Sequence, residues 1–287
     1  MTNDVQHTDH AGQELPLGDV TLYYEVHGIA SGIPLFVVNG GPGLDHSYLE
    51  VAAIWRELET RRQVIFYDQR GTGRSSRLAA GQSCGLADQL TDLHALRQHL
   101  GFEQVDLLGH SFGGLLAMAY SARYPQHVHK LILVGSVAPK LDDTVFLFEQ
   151  VSPETTVRRN ALAFRADLGD EEAILADLRE HFSMCFYSPQ KRDAFLSVAD
   201  SFTYRDEVRK MLWTDAAQFD LGPELAKFQL PTLVITGRHD LNVAPVVAFK
   251  IHQAIAGSRF AVFEESGHLP FFEEPEMFLN AVDSFLV

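Results

Sequence analysis

A serine held between two glycines is the residue best suited to chemistry in this chain. Residues 109–113 (GHSFG) have the spacing G-x-S-x-G, follow an apolar run at 105–108 and open a helical pattern at 112–124. In a strand–turn–helix setting this motif forms a nucleophile elbow, which exposes the serine hydroxyl above a sheet. The glycines permit the close chain approach that such a turn requires. The motif therefore predicts that Ser111 is a nucleophile.

A serine nucleophile needs a general base, and the base needs a group that orients it. Asp240 follows an apolar run at 232–236, and His268 follows another at 260–263. The carboxyl ends of parallel strands lie at one edge of a sheet, where open α/β sheets place their sites. The chain order Ser, Asp, His also matches the order associated with the elbow motif. We therefore expect Asp240 to orient His268, and His268 to take the proton of Ser111.

Acyl transfer also requires donors for the developing oxyanion. One predicted donor is the backbone N–H of Phe112, the residue after the nucleophile. The second is expected from residues 39–43 (NGGPG), where glycines let an amide point into the site. His110 is interpreted as a packing residue. Residues 68–75 (DQRGTGRS) are interpreted as a glycine turn whose arginines brace neighbouring loops through bidentate pairs.

The elements that must position these residues alternate along the chain. Apolar or β-branched runs predict strands at residues 20–26, 35–38, 64–67, 105–108, 131–134, 232–236 and 260–263. Helical patterns are found at residues 48–58, 86–100, 112–124, 246–256 and 276–286. Strands separated by helices imply crossovers and a mostly parallel sheet, which is an α/β fold.

Residues 139–229 contain no strand-like run, and turn signals divide them into helical stretches. This pattern predicts a helical cap, inserted between two strands and placed over a pocket. The expected division is a core of residues 13–138 and 230–287, a cap of residues 139–229, and a flexible tail at residues 1–12.

Composition excludes several classes of protein. The 287 residues carry a formal charge of −15, which disfavours binding to nucleic acid through a basic surface. No apolar run approaches the about 18 residues of a membrane helix. The first ten residues lack the basic and apolar regions of a signal peptide, and the 2 cysteines form no framework. We expect a cytoplasmic protein with no membrane partner, no metal and no organic cofactor; the oligomeric state stays open.

Together these motifs resemble the α/β-hydrolase superfamily, over nearly the whole chain. The pairing of residues 40–43 (GGPG) with residues 68–75 (DQRGTGRS) is similar to the proline iminopeptidase group. That resemblance implies a Ser-Asp-His triad, cleavage of an N-terminal residue from short peptides, and lid carboxylates that bind the free amine. It also implies that Gly41 supplies the second oxyanion amide. Asn39 stands where the group usually has histidine, and Trp213 is followed by Thr214 where a Trp-Glu pair is common.

The sequence thus predicts a serine hydrolase that acts on a small molecule or a short peptide, with an aminopeptidase of the proline type as the first hypothesis. A carboxylesterase or lactonase with the same triad is the alternative, and a non-catalytic receptor on a hydrolase scaffold is a further one. The sequence does not assign a residue that binds the substrate amine. The candidates are five acidic residues of the predicted cap: Glu149, Glu154, Asp170, Glu171 and Glu172.

Overall fold

The computed structural model describes residues 12–287, in which eight strands form one sheet of order β1-β2-β4-β3-β5-β6-β7-β8. In chain order the strands are β1 (Gln13–Leu17), β2 (Val20–Gly28), β3 (Leu35–Val38), β4 (Gln63–Tyr67), β5 (Val105–His110), β6 (Val128–Val134), β7 (Thr232–Gly237) and β8 (Arg259–Phe263). β2 is antiparallel to both β1 and β4, and the pairs from β4 through β8 are parallel. The predicted mostly parallel α/β sheet is therefore confirmed.

The α-helices of the described region are α1 (Ser47–Glu50), α2 (Ile54–Glu59), α3 (Leu86–His99), α4 (Phe112–Arg123), α5 (Phe148–Val151), α6 (Pro153–Asp167), α7 (Glu171–Ser183), α8 (Pro189–Leu196), α9 (Asp206–Ala216), α10 (Gly222–Leu225), α11 (Pro245–Ala254), α12 (Pro270–Glu273) and α13 (Pro275–Leu286). Short 3₁₀ turns lie at Pro125–His127, Leu141–Asp143 and Ala199–Ser201. Several helices begin with proline, whose fixed φ suits the first turn.

Two apolar cores lie on the two faces of the sheet. Side chains of β3 alternate between them: Phe36 and Val38 belong to the core that includes residues of α3, α4 and α11, while Leu35 and Val37 belong to the core that includes residues of α2, α7 and α13. Because helices cover both faces of the sheet, the central strands are continuous apolar runs in which polar residues do not alternate with apolar ones.

The structure differs from the sequence predictions of local structure in two places. β1 was not predicted, because its five residues (QELPL) form no continuous apolar run and include Pro16, which only an edge strand tolerates. The helix predicted at residues 48–58 is divided into α1 and α2. The carbonyl of Leu49 accepts hydrogen bonds from the amide of Ala52 and the indole of Trp55, so it does not continue the helical pattern.

The chain between β6 and β7, here called the inserted segment (residues 135–231), carries α5 to α10 and, within the described structure, no strand of the sheet. β6 and β7 are paired parallel neighbours, so the segment leaves at the carboxyl end of one strand and re-enters at the amino end of the adjacent one. The division into core and cap at residues 139 and 229 stays a prediction. The predicted tail falls, apart from Gly12, outside the described residues. Across residues 12–287, none of the helices combines the length and apolar character needed to span a bilayer.

Candidate active site

Ser111 sits on a tight turn between β5 and α4. Its φ of 56° and ψ of −121° make it the one non-glycine residue with positive φ in the described chain. A Cβ at Gly109 would lie 2.4 Å from the carbonyl oxygen of Gly113, and a Cβ at Gly113 would lie 2.2 Å from that of Val38. Both positions therefore require glycine. The turn has the strained geometry that the G-x-S-x-G spacing predicts.

Asp240 and His268 are brought into direct contact. Asp240 Oδ2 lies 2.7 Å from His268 Nδ1, and both residues are buried. The other carboxylate oxygen accepts hydrogen bonds from the amides of Asn242 and Val243, at 2.9 and 2.8 Å. The amide of His268 donates to the carbonyl of Cys185 at 2.7 Å. Because Nδ1 is bonded to the carboxylate, Nε2 is the ring nitrogen left for proton transfer.

Ser111 and His268 lie at the same edge of the sheet. The amide of Ser111 donates a hydrogen bond to the carbonyl of Val134. Gly135 follows Val134 in the chain, and a Cβ at Gly135 would lie 3.0 Å from His268 Nδ1. The rings of His110 and His268 have centroids 4.6 Å apart. Among residues 12–287, no hydrogen bond joins the Ser111 hydroxyl to His268. Such bonds commonly tighten only when substrate is bound. The three predicted catalytic residues are thus gathered, and their roles stay a prediction.

The two residues predicted to supply the oxyanion donors both lie beside Ser111. As the first residue of α4, Phe112 has an amide without an intrahelical acceptor. Gly41 lines the cavity above Ser111 and has φ of +121°. The oxyanion loop (residues 39–43) is held by Asn39, whose side chain donates to the carbonyl of Leu44 at 2.6 Å, while Gln69 donates to the carbonyl of Asn39 at 2.8 Å. Asn39 is therefore a brace of this loop.

A cavity of about 500 Å³ opens above Ser111, and helices of the inserted segment form much of its wall. Its aromatic side includes Trp213, whose ring lies 5.8 Å from that of Phe112 and 6.1 Å from that of Phe146. His181 also lines it, and burial lowers the pKa of that imidazole well below its ordinary value. Sequence reasoning missed these wall residues, because helical periodicity alone does not show which face meets the cavity.

Charged side chains in the wall are mostly paired. Arg159 bonds Asp177 at 2.8 Å, and Asp206 bonds Arg209 at 2.7 Å and Lys210 at 2.8 Å. Lys210 also contacts a third carboxylate of the wall, that of Asp167, at 2.5 Å. The wall thus carries four carboxylates against three cations.

Glu149 is the remaining carboxylate of the wall, and it has no ion pair or hydrogen bond within the part of the chain that the structure describes. Of the acidic residues considered as partners for an amine, it alone lines the cavity. Asp170 instead caps α7, where it accepts from the amide of Ala173 at 3.1 Å. Glu171 and Glu172 fill the first turn of that helix.

A second group of ionisable residues, here called the histidine ion network, lies outside the cavity wall. It consists of Glu25, His27, His46, Glu50, Glu59, Asp68 and Arg74. Three of them, Glu25, His27 and Glu50, lie close enough to share a metal ion. Glu25 is already bonded to His27 at 2.8 Å and to Arg74 at 3.0 Å, so cationic side chains supply the positive charge there.

Known proteins resemble this chain over most of its length. The model of the alpha/beta hydrolase fold family matches residues 33–275. A proline iminopeptidase of Saccharolobus solfataricus is 28% identical, with 93% of this chain and 89% of that protein covered. A 2-hydroxy-6-oxo-2,4-heptadienoate hydrolase of Pseudomonas putida is also 28% identical, with 91% of each covered. The solved structure of an esterase from Exiguobacterium antarcticum superposes with a TM-score of 0.74 and 26% identity, covering 96% of this chain and 98% of that one.

The extent of the family match agrees with the strand order and with the serine turn between β5 and α4. The resemblance to proline iminopeptidases is likewise carried by relatives that span nearly the whole chain. The chain therefore belongs to the alpha/beta hydrolase fold family.

Proposed function

We propose that this hydrolase-family protein is a serine hydrolase that works through an acyl-enzyme. Ser111 attacks the substrate carbonyl, and His268 Nε2 takes its proton and later gives it to the leaving group. Asp240 holds the imidazole tautomer and stabilises the imidazolium. The amides of Gly41 and Phe112 bind the oxyanion, and water then releases the acyl group. The observation that carries this proposal is the 2.7 Å Asp240–His268 contact beside the strained turn of Ser111.

The substrate proposed is a short peptide or arylamide with a free N-terminal amine, preferably on proline. Support comes from Glu149, whose unpaired carboxylate leaves the cavity wall with one negative charge in excess. The aromatic side chains of Trp213 and Phe146 suit an apolar ring next to that charge. Relatives named proline iminopeptidase in several organisms agree with this choice.

The test is a matched set of substrates given to the purified full-length protein. A prolyl arylamide, the same compound acetylated on nitrogen, and a short-chain aryl ester differ in the amine and in the leaving group. We expect turnover of the free amine and its loss on acetylation, together with labelling of Ser111 by a fluorophosphonate. Turnover of the ester alone would replace the aminopeptidase proposal with the second candidate.

That second candidate is a carboxylesterase or lactonase, favoured by the likeness to the esterase from Exiguobacterium antarcticum over 96% of this chain. It needs the same nucleophile and base but no group for an amine. A protein that is labelled once and turns over nothing in a panel of amides, esters and lactones would instead be a binding protein.

A further inference from the structure

A chain of three buried hydrogen bonds runs beside Ser111. The amide of Gly40 lies 2.7 Å from Tyr48 Oη, which lies 2.7 Å from His110 Nδ1. His110 Nε2 lies 2.9 Å from the carbonyl oxygen of His268. Tyr48 and His110 are almost fully buried. The chain therefore joins the oxyanion loop, the neighbour of the nucleophile and the main chain of the proposed base.

The direction of each bond follows from counting protons. An amide can only donate, so Tyr48 Oη accepts from Gly40 and must give its own proton to His110 Nδ1. A carbonyl can only accept, so His110 Nε2 carries the proton that it donates to His268. A neutral imidazole has one donor and one acceptor, and both are used. Burial holds the pKa of His110 well below its ordinary value, which keeps it neutral.

Packing fixes the same three parts. A Cβ at Gly40 would lie 2.8 Å from Ser111 Cβ, so the oxyanion loop has no room to move toward the serine. The ring of His110 lies against that of His268, and the ring of Phe271 lies edge-on to it at a centroid distance of 5.1 Å. Displacing Tyr48 or His110 would therefore move the loop and the base relative to Ser111.

We propose that Tyr48 and His110 are positioning residues, which set the distance between the oxyanion loop and the base for the reaction of Ser111. This inference rests on the proposed function. It goes beyond the sequence prediction of His110 as a packing residue, and it adds Tyr48, which the sequence did not single out. The physical reason is that transition-state stabilisation depends on placement within about 0.5 Å, and three directed bonds restrict the loop and the base together.

Tyr48→Phe is the first test, because it removes one oxygen atom and keeps the ring that packs on His110 and Phe182. We expect kcat to fall about 10- to 100-fold while KM changes less than about threefold, since the bonds act on the transition state. Affinity for a boronic acid that mimics the tetrahedral intermediate should fall by the same factor as kcat/KM. Unchanged kcat, or a rise in KM alone, would overturn the proposal.

Tyr67→Phe is the matched control. Its hydroxyl is also buried, and in the described chain it has no hydrogen-bond partner. Activity should stay at the wild-type level in this variant. An equal loss of kcat in the two variants would assign the effect to general packing and contradict the positioning role.

His110 gives an independent comparison. His110→Gln retains a donor for the carbonyl of His268, whereas His110→Leu retains the bulk and no polar atom. We expect the glutamine variant to keep at least tenfold more kcat than the leucine variant, with rates of fluorophosphonate labelling in the same order. Equal rates in both variants would contradict the proposal. Failure of the wild-type protein to label at Ser111 would instead contradict the proposed function.

Discussion

Two buried histidine–aspartate pairs in this protein share one distance and differ in their surroundings. His268 Nδ1 lies 2.7 Å from Asp240, and His46 Nδ1 lies 2.7 Å from Asp68. Both aspartates follow strands of the sheet, β7 and β4. Ser111 lies at the sheet edge near the first pair, whereas Nε2 of His46 in the second pair lies 3.3 Å from a carboxylate oxygen of Glu50.

The electrostatic setting of His46 explains why the second pair has no catalytic part in the proposal. Burial alone would lower the pKa of His46, but the charge and hydrogen bond of Asp68, with Glu25 and Glu50, raise it well above its ordinary value. An imidazole that is already protonated cannot accept a proton from a serine. A contact between histidine and aspartate is therefore not enough to make the histidine a general base. The groups that face Nε2 determine whether the imidazole can accept a proton.

The largest expected effect comes from removing the nucleophile. Ser111→Ala should lower kcat by on the order of 10⁴–10⁶-fold and leave the melting temperature nearly unchanged. Ser121→Ala is the control, because that serine is also buried and bonds only the carbonyl of Ala117 in its own helix. A loss of only a few-fold in Ser111→Ala would place the nucleophile elsewhere.

The two pairs are compared directly by changing each aspartate to asparagine. Asp240→Asn should lower kcat about 10⁴-fold, because the imidazole loses its correct tautomer. Asp68→Asn should cost about 3–5 kcal/mol of unfolding free energy, since it removes the charge that is bonded to the buried His46, with a much smaller effect on kcat at a temperature where the protein is folded. Urea unfolding and steady-state kinetics measure both. A similar loss of kcat in the two folded variants would contradict the assignment of different roles to the two histidine–aspartate pairs.

The elements of the proposed site could be predicted because each is marked by a local pattern. Glycines flank Ser111, and apolar runs precede Asp240 and His268. One of the predicted arginines, Arg70, makes a bidentate pair, in which its Nε and Nη2 bond the two oxygens of Asp92 at 2.6 and 2.7 Å, but this partner lies in α3 and not in a neighbouring loop. The partner itself was not predictable, since 22 residues separate the two.

Tyr48 could not be predicted for the same reason. It reaches His110 across 62 residues, and nothing near it in the sequence indicates that contact. The position of Glu149 in the cavity wall likewise depends on how short helices pack, which local periodicity does not fix. Pairings between distant parts of the chain are thus what the sequence leaves out.

The histidine ion network predicts that the free energy of unfolding depends on pH. Burial alone would lower the pKa of His27, but hydrogen bonds with Glu25 and Glu59 raise it to about 9. The pKa of His27 in the folded state lies above its unfolded value of about 6.5. The stabilisation that His27 contributes to folding is therefore fully present below pH 6.5 and is lost as the pH rises through 9. The expected loss is about 3 kcal/mol of unfolding free energy. Urea unfolding from pH 6 to 10 should show this slope, and His27→Gln should flatten it. An equal slope in the variant would assign the loss to other groups.

The smallest predicted effect is that of neutralising Glu149, the unpaired carboxylate of the cavity wall. Glu149→Gln should lower kcat/KM for a free-amine substrate about tenfold, roughly the contribution of one hydrogen bond to a charged group, and leave ester turnover unchanged. Glu154→Gln, whose carboxylate is outside the cavity wall, is the matched control. If the losses for amine and ester substrates are equal, Glu149 does not recognise the amine.

The adjacency of β6 and β7 has a consequence for how this molecule can evolve. The inserted segment begins at the carboxyl end of β6 and ends at the amino end of β7, and these two parallel strands are paired neighbours about 5 Å apart. Doubling the length of such an excursion adds only about 0.6 kcal/mol of closure entropy. Lineages can therefore lengthen, trim or exchange these helices wholesale while the register of the sheet is untouched. New preferences for substrate can arise in one part of the gene while the reactive machinery is inherited intact.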